Sequence, residues 1–358
     1  MASILYNNPI AITLTWCFGV CGIIANYYVF KIILALKKRS NRTIFSKVSS
    51  DHSRQSEITS NQFTARYVGN RTFIILIANL AASDLAGSLY LLILAAADLR
   101  YRFMQINPYN NGSMAESLIN SSNIYHDWIG NPFCFTARYL NVLSSFQSVF
   151  IITIIAVDRY VSVAFPFSNN LEITPKKAKM ISIGGWSIGI ATASMFTAFS
   201  YITFPPAKSI SYRFSNLCTF ADVSVNFVRF SLLLLSVIGF ICYIFTLSLY
   251  MGTYLKLQHI AAKIKVSKTF NQNIERKTLK IAASISITNL VAWFPSLACG
   301  TAIFINYRLS IDNIRFLDTA PNVLLLFQVN CTINPIIYIF NISQNLSNYK
   351  RKFFWTRT

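Results

Sequence analysis

The chain has 358 residues, of which 54% are hydrophobic and only 12% are charged, whereas a soluble domain carries about a quarter charged residues. Its net charge of +20 would suit a nucleic-acid-binding protein, but 24 of the 32 Lys and Arg lie on one side of the apolar runs described below. That asymmetry is typical of a multi-pass membrane protein with its N-terminus outside, and it excludes a soluble domain and a nucleic-acid partner.

Seven apolar runs predict an all-α bundle of seven transmembrane helices. The first run ends in Lys37-Lys38-Arg39 and is too long for the core of a signal peptide, which leaves residues 1–9 outside the cell. The polar first inner loop, 37–71, has a composition typical of disorder. Residues 341–358 form a cytoplasmic tail with a short amphipathic eighth helix on the inner surface. The spans are predicted at about 10–36, 73–97, 134–160, 180–204, 227–255, 278–305 and 316–340.

Asp84, in the second span, is the only ionisable residue deep inside any of the predicted spans. A carboxylate is costly in hydrocarbon, so its presence there indicates a functional site. The outer loop that follows carries two Asn-x-Ser/Thr sequons, at Asn111 and Asn120, and both are predicted glycosylation sites.

Cysteine placement predicts one disulfide. Of the seven Cys, only Cys134 and Cys218 fall at outer helix ends or loops, where the environment is oxidising. The other five lie within spans, where a small buried hydrophobe is the simpler interpretation.

The third, sixth and seventh spans each carry a motif. The third ends in Asp158-Arg159-Tyr160, a charged cluster after a long apolar run. The sixth contains Trp293-Phe294-Pro295, and the seventh contains Asn334-Pro335-Ile336-Ile337-Tyr338. Each proline removes a helix hydrogen bond and therefore predicts a kink or pivot.

Taken together, these motifs resemble those of the rhodopsin-like (class A) G-protein-coupled receptors along essentially the whole chain. The resemblance implies a plasma-membrane receptor, not an enzyme, that binds an extracellular ligand and a heterotrimeric G protein. The matching residues are Asn26, Leu80 to Asp84, Cys134, Asp158-Arg159-Tyr160, Trp186, Cys218, Trp293-x-Pro295 and Asn334-Pro335-x-x-Tyr338.

A finer resemblance is to the transmembrane region of the glycoprotein-hormone and relaxin receptors. It rests on Tyr90-Leu91-Leu92, Asp98, Tyr101-Arg102, Phe165-Pro166-Phe167-Ser168 and Thr288-Asn289. That branch has Asp where Asn289 stands and departs from Asp-Arg-Tyr. It also carries a large leucine-rich ectodomain, which this chain lacks, so we expect kinship in the bundle and a different ligand.

The resemblance assigns roles at the inner end. Arg159 is expected to pair with Asp158 and with Glu275 at the base of the sixth helix, forming an ionic lock in the resting state. Tyr160 completes this motif, where the G protein would engage the released Arg159. The alternative is that these are interfacial charges that snorkel to water.

The resemblance also assigns a polar core and a set of switch residues. Asp84, Ser148, Asn330 and Asn334 are expected to converge and to hold a sodium ion, the one candidate cofactor and metal. A water-filled hydrogen-bond network without an ion is the alternative. The switch residues are Asn26, Asn289, Trp293, Pro295, Pro335, Tyr338 and Tyr250, with Tyr243 or Tyr254 as alternatives to Tyr250.

A ligand pocket is expected at Asn141, Ser145, Ser296 and Gln328, although these residues could instead bond between helices. Asn141 stands where amine receptors carry Asp, and the seventh span has no Lys, which excludes a retinal pigment. The expected ligand is a peptide or another small ligand, and membrane lipids are expected as further partners. The rivals are a receptor that is constitutively active or has lost its ligand, and a channel, which the lack of repeated charges disfavours.

Overall fold

The computed structural model describes Leu5 and residues 8–48, 57–106, 128–165, 168, 170–202, 216–219, 225–263, 270–305 and 322–340. Within these ranges the chain forms seven long helices and no strand. The helices are α1 (Pro9–Val48), α2 (Glu57–Ile106), α3 (Pro132–Ala164), α4 (Pro175–Ile202), α5 (Asn226–Lys263), α6 (Phe270–Ile305) and α7 (Asn322–Phe340, with a 3₁₀ turn at Phe327–Val329).

Each of the seven helices contains a segment that is long and apolar enough to cross a membrane. The predicted seven-helix fold is therefore confirmed. The expectation of a disordered 37–71 loop is wrong in part, because α1 continues to Val48 and α2 already begins at Glu57. Residues 37–48 contain no Gly or Pro, so nothing in the sequence terminates the helix where it leaves the membrane. The predicted eighth helix and both sequons lie outside the described residues.

The central helix is α3, which packs against α2, α4, α5 and α6. It begins after Asn131, whose side-chain Oδ1 accepts a hydrogen bond from Phe133 N at 2.9 Å, and Pro132 occupies the first turn. An Asn cap followed by Pro is a favourable helix start. The Asn side chain accepts a hydrogen bond from a backbone N–H of the first turn, and Pro has no N–H that would be left without a partner. The cap positions Cys134, and hence the start of the whole helix, at the outer end.

The core consists of two apolar clusters separated by polar side chains. The outer cluster includes Tyr90 and Leu94 of α2 and Leu324 of α7, and the inner cluster includes Leu80 of α2 and Tyr338 of α7. Along α2, α3 and α7, the buried Ser, Asn and Gln residues and Asp84 lie between the parts of each helix that enter the two clusters, whereas the buried Asp98 and Asp158 lie nearer the outer and inner ends. The candidate site lies in this polar layer.

The predicted disulfide at the outer end of the bundle is confirmed. Cys134 and Cys218 are bonded, with their Cα atoms 5.5 Å apart. Next to it, Tyr90 donates its hydroxyl hydrogen to Leu217 O at 2.8 Å, and Trp128 Nε1 donates to Asn216 O at 2.8 Å. Residues 216–218 of the second outer loop are thereby held against the outer ends of α2 and α3.

Candidate functional site

Asp84 is at the centre of the polar layer and is only 1% exposed. Ser148 Oγ of α3 donates to its Oδ1 at 3.3 Å, and Asn334 Nδ2 of α7 donates to its Oδ2 at 3.1 Å. The two salt bridges found among the described residues lie elsewhere. The carboxylate is therefore met by uncharged donors from two other helices, which satisfies part of its large cost of burial.

The network continues from Asn334 to α6. Asn289 Nδ2 donates to Asn334 Oδ1 at 3.0 Å and also to Ile285 O at 2.8 Å. Asn289 and Asn334 are both fully buried. This bond links the proline-containing helix α6 to α7 and, through Asn334, to Asp84.

The network also extends outward through α3 and α7. Gln328 Nε2 donates to Asn141 Oδ1 at 2.5 Å, and Cys331 Sγ donates to Gln328 Oε1 at 2.9 Å. Cys331 Sγ lies 4.0 Å from Ser144 Oγ, and the carbonyl of Ser144 accepts from Ser83 Oγ at 2.9 Å. Ser83 Oγ in turn lies 2.9 Å from Ser148 Oγ. Polar contacts therefore run from the outer half of the bundle to Asp84.

The four residues expected to line a ligand pocket all make bonds within the bundle. Asn141 and Gln328 bond to each other, Ser296 Oγ donates to Val323 O at 2.9 Å, and Ser145 Oγ donates to Asn141 O at 2.6 Å. The Asn141–Gln328 and Ser296–Val323 bonds agree with the alternative that these residues bond between helices, whereas the Ser145 bond lies within α3. Their role in binding a ligand stays a prediction.

Helix α1 joins the site through Asn26. Its Nδ2 donates to Gly22 O and to Cys331 O, both at 2.9 Å. Asn330, the other α7 residue assigned to the core, is 3% exposed and lies one turn before Asn334. Pro335 follows Asn334, so the proline lies directly below the bonds to Asp84 and Asn289.

At the inner end, Arg159 is paired with its neighbour Asp158. Arg159 Nε donates to Asp158 Oδ2 at 2.9 Å, and the guanidinium lies 5.5 Å from the centre of the Phe73 ring. Asp158 is 2% exposed, so this is not a pair of charges snorkelling to water. Tyr160 packs edge-on against Phe165. Glu275 is in α6, but its side chain lies outside the described residues, so its contact with Arg159 stays a prediction.

The aromatic switch residues occupy two levels. Trp293, two residues before Pro295, lies against Tyr243 of α5 with ring centroids 6.1 Å apart. Tyr250 and Tyr338 are both buried in the inner cluster. Tyr254 is 52% exposed, which disfavours it as a partner inside the bundle and leaves Tyr250 and Tyr243.

Sequence reasoning missed Arg138 as a buried group. The sequence places Arg138 near the outer end of the third span, which indicates a charge at the membrane interface and not a buried one. Arg138 is 2% exposed within α3, where its guanidinium bonds to Ser200 of α4 and lies 5.6 Å from the Phe135 ring. Its position one turn after Cys134 was the available signal, because this spacing places both residues on one face of α3.

The sequence of the chain matches the profile of a known protein family. The family profile described as "7 transmembrane receptor (rhodopsin family)" matches residues 62–338, which include all the motifs of α3, α6 and α7. The chain belongs to this family. As a rhodopsin-family member it is a receptor in the plasma membrane that crosses it several times, and it is not an enzyme.

Individual members of the rhodopsin family are similar at moderate identity. The thyrotropin receptor of Canis lupus familiaris is 22% identical over 265 residues, covering 74% of this chain but only 30% of that receptor. Somatostatin receptor type 4 of Rattus norvegicus is 26% identical over 290 residues, covering 80% and 68% of the two chains. The type-2 angiotensin II receptor of Ovis aries is 28% identical over 224 residues, covering 60% and 59%. The chain thus spans under a third of the thyrotropin receptor.

Proposed function

We propose that the protein converts binding of an extracellular ligand into activation of a heterotrimeric G protein, through outward movement of the sixth helix. The observation that carries this proposal is the chain of buried polar contacts from Asn141 to Asn289. It connects α3, α7, α2 and α6, begins in the outer half of the bundle, and ends at Asn289 on α6, the helix that contains Pro295. A ligand that moves α3 or α7 would therefore change the bonds that hold α6.

The inner end of the bundle is where the G protein would bind. With Arg159 bonded to Asp158, two of the five N–H groups of the guanidinium are used and the side chain is held beside α3's own acid. We infer that this is the resting arrangement. Release of α6 from α7, at the bond between Asn289 and Asn334, allows α6 to pivot at Pro295 and opens the inner face, where Arg159 meets the G protein. The protein needs no chemistry on a substrate, because the G protein itself carries the nucleotide.

We propose that the polar core binds a sodium ion at Asp84. A hard cation takes oxygen ligands, and Asp84 supplies a carboxylate next to the hydroxyl oxygen of Ser148, whereas Asn334 turns its Nδ2 toward Asp84 and its Oδ1 toward Asn289. Asn330 lies on the same helix as Asn334, within one turn. A bound sodium ion would supply the positive charge that the described donors to Asp84 lack. It would stabilise the arrangement in which these residues converge.

The nature of the ligand follows from similarity alone. The relatives are named as receptors for thyrotropin, somatostatin and angiotensin II. By that similarity we propose a peptide or another small extracellular ligand for this chain. A biogenic amine is disfavoured, because Asn141 is neutral and already bonded to Gln328.

The proposal is tested by cyclic AMP and calcium output in cells, normalised to receptor at the surface. Asp158→Asn removes the charge that holds Arg159. Hydrogen bonds to charged groups contribute about 1.5–3 kcal/mol, so basal output should rise about tenfold or more. The double variant Asp158→Asn/Arg159→Ala should lose this gain. Glu275→Ala is expected to act like Asp158→Asn if the predicted lock to α6 exists.

Glu172→Gln is the matched control, since it removes an inner-surface acid that belongs to neither α3 nor α6. It should leave basal output unchanged. If Asp158→Asn reaches the surface and output in both pathways stays at the level of the parent, the assigned role of Arg159 is wrong. A high basal output of the parent chain itself would favour a constitutively active receptor.

A further inference from the structure

Thr72, at the inner end of the membrane-spanning part of α2, bonds to a distant part of the chain. A buried Thr in a helix commonly donates to a carbonyl of its own preceding turn, as Thr15 Oγ1 does to Ala11 O at 3.0 Å. Thr72 is equally buried, at 0% exposed, but its Oγ1 donates to Ile173 O at 2.8 Å, 101 residues further along the chain. Ile173 lies in the inner loop between α3 and α4. The side chain of Thr72 therefore joins α2 to this loop.

The loop is also bonded to α4. Lys177, in the first turn of α4, donates from Nζ to Asn170 O at 3.0 Å and to Glu172 O at 3.1 Å. These bonds and the bond from Thr72 all end on backbone carbonyls, so a side-chain change in the loop, such as Glu172→Gln, leaves them in place. The bonds of Lys177 are exposed to water, whereas the bond of Thr72 is partly buried. The loss of Thr72 is expected to matter more, because a buried acceptor without its donor cannot turn to water.

The same end of α2 also contacts Arg159. Phe73 follows Thr72 directly, and the Arg159 guanidinium lies 5.5 Å from the centre of its ring. Phe73 and Ile173 both pack against the inner apolar cluster. Two neighbouring residues of α2 thus contact the loop and the residue assigned to the G protein. The loop begins at Phe165, six residues after Arg159, so a protein that binds Arg159 at the inner face also comes against the loop.

We propose that Thr72 is a positioning residue for the G protein, which holds the loop between α3 and α4 on α2 beside Arg159. A loop that must be ordered when a partner binds weakens the affinity by the cost of that ordering, and a loop that is already held avoids this cost. Neither Thr72 nor Ile173 belongs to α6, the helix that moves in the proposed mechanism, so their bond persists in both arrangements. Thr72 therefore acts on the affinity for the G protein and not on the switch. This inference rests on the proposed receptor function.

Hydrogen–deuterium exchange of the purified receptor tests the link without any signalling. Thr72→Val keeps the shape of the side chain and removes its hydroxyl, so the backbone amides of the loop should exchange about three- to tenfold faster, as the loss of one hydrogen bond allows. Thr72→Ser keeps the hydroxyl and should exchange at the parent rate. Thr15→Val, which removes a hydroxyl from an equally buried Thr of α1, is the matched control and should leave the loop unchanged. Equal loop exchange in Thr72→Val and the parent would overturn the proposal.

Nucleotide exchange on purified G proteins tests the function, with Asp158→Asn as the parent because that variant is expected to be active without a ligand. The probes are three heterotrimers, which raise cyclic AMP, lower cyclic AMP or release calcium, and each is titrated against a fixed amount of receptor. Adding Thr72→Val should raise the G-protein concentration for half-maximal exchange about three- to tenfold and leave the maximal rate unchanged. Adding Thr72→Ser instead should leave both values at those of the parent.

The outcomes separate this inference from the proposed function. If Asp158→Asn drives exchange and the added Thr72→Val leaves the half-maximal concentration unchanged, the receptor function stands and this inference fails. A lower maximal rate at an unchanged half-maximal concentration would overturn it equally, because Thr72 would then act on the switch. If Asp158→Asn drives exchange on none of the three heterotrimers, the proposed function fails and this inference falls with it.

Discussion

The bond between Asn289 and Asn334 offers the sharpest test of how α6 is held. Asn289→Ala removes the donor that lies 3.0 Å from Asn334 Oδ1. A typical net hydrogen bond contributes about 0.5–1.5 kcal/mol, and leaving the buried Asn334 Oδ1 without its donor raises the cost to about 1–3 kcal/mol. If this bond belongs to the resting state alone, the two-state equilibrium shifts by about 5- to 150-fold toward the active state.

The assay is basal second-messenger output per receptor at the surface, with thermal unfolding of the purified protein beside it. Thr288→Ala is the matched control, because Thr288 Oγ1 donates to the same Ile285 carbonyl, at 2.9 Å, as Asn289 Nδ2 does. The control removes that local bond and leaves the link to α7. Equal basal output for the two variants at equal surface level would refute the role of this link. A loss of thermal stability without a gain in output would show that the bond is equally strong in both states.

Three further outcomes are expected. Gly185→Ala should lower the unfolding temperature, because the added Cβ would overlap the Phe150 ring. At Gly184 an added Cβ meets no neighbouring atom within 4 Å, so Gly184→Ala should raise the free energy of unfolding by up to about 1 kcal/mol through helix propensity. Cys218→Ser opens a loop of 84 residues and should lower the free energy of unfolding by about 4.5 kcal/mol, seen as poor surface expression and a reactive thiol at Cys134. Replacing the two sequon asparagines of the first outer loop with Gln should remove two glycans, seen as two steps in gel mobility after single and double replacement.

The helices could be predicted from the sequence because a bilayer imposes a strong and simple constraint. A spanning helix needs about 20 apolar residues. That pattern predicted the seven helices, and the placement of Cys134 and Cys218 was sufficient to predict their bond. The continuation of α1 to Val48 was not predicted, since a polar composition beyond the membrane says little about where a helix without Gly or Pro will end.

A site residue could be predicted from the sequence where its side chain is energetically unfavourable inside a membrane. Asp84 was identified for that reason, and its partners Ser148 and Asn334 came from the resemblance. The contacts through Cys331 were not foreseen, because a Cys in an apolar span reads as a small hydrophobe until its neighbours are known.

The position of the polar layer between two apolar clusters explains why such a bundle would switch between discrete arrangements. Apolar contacts can slide gradually at small cost, but a buried donor that leaves its acceptor must find another or bear the full desolvation penalty. Asn334 bonds to Asp84 on one side and to Asn289 on the other, so a small rotation of α7 disturbs both bonds together. Intermediate positions satisfy neither bond. The network is therefore expected to make the motion of α6 cooperative, with Asn334 as the residue through which α2, α6 and α7 change together.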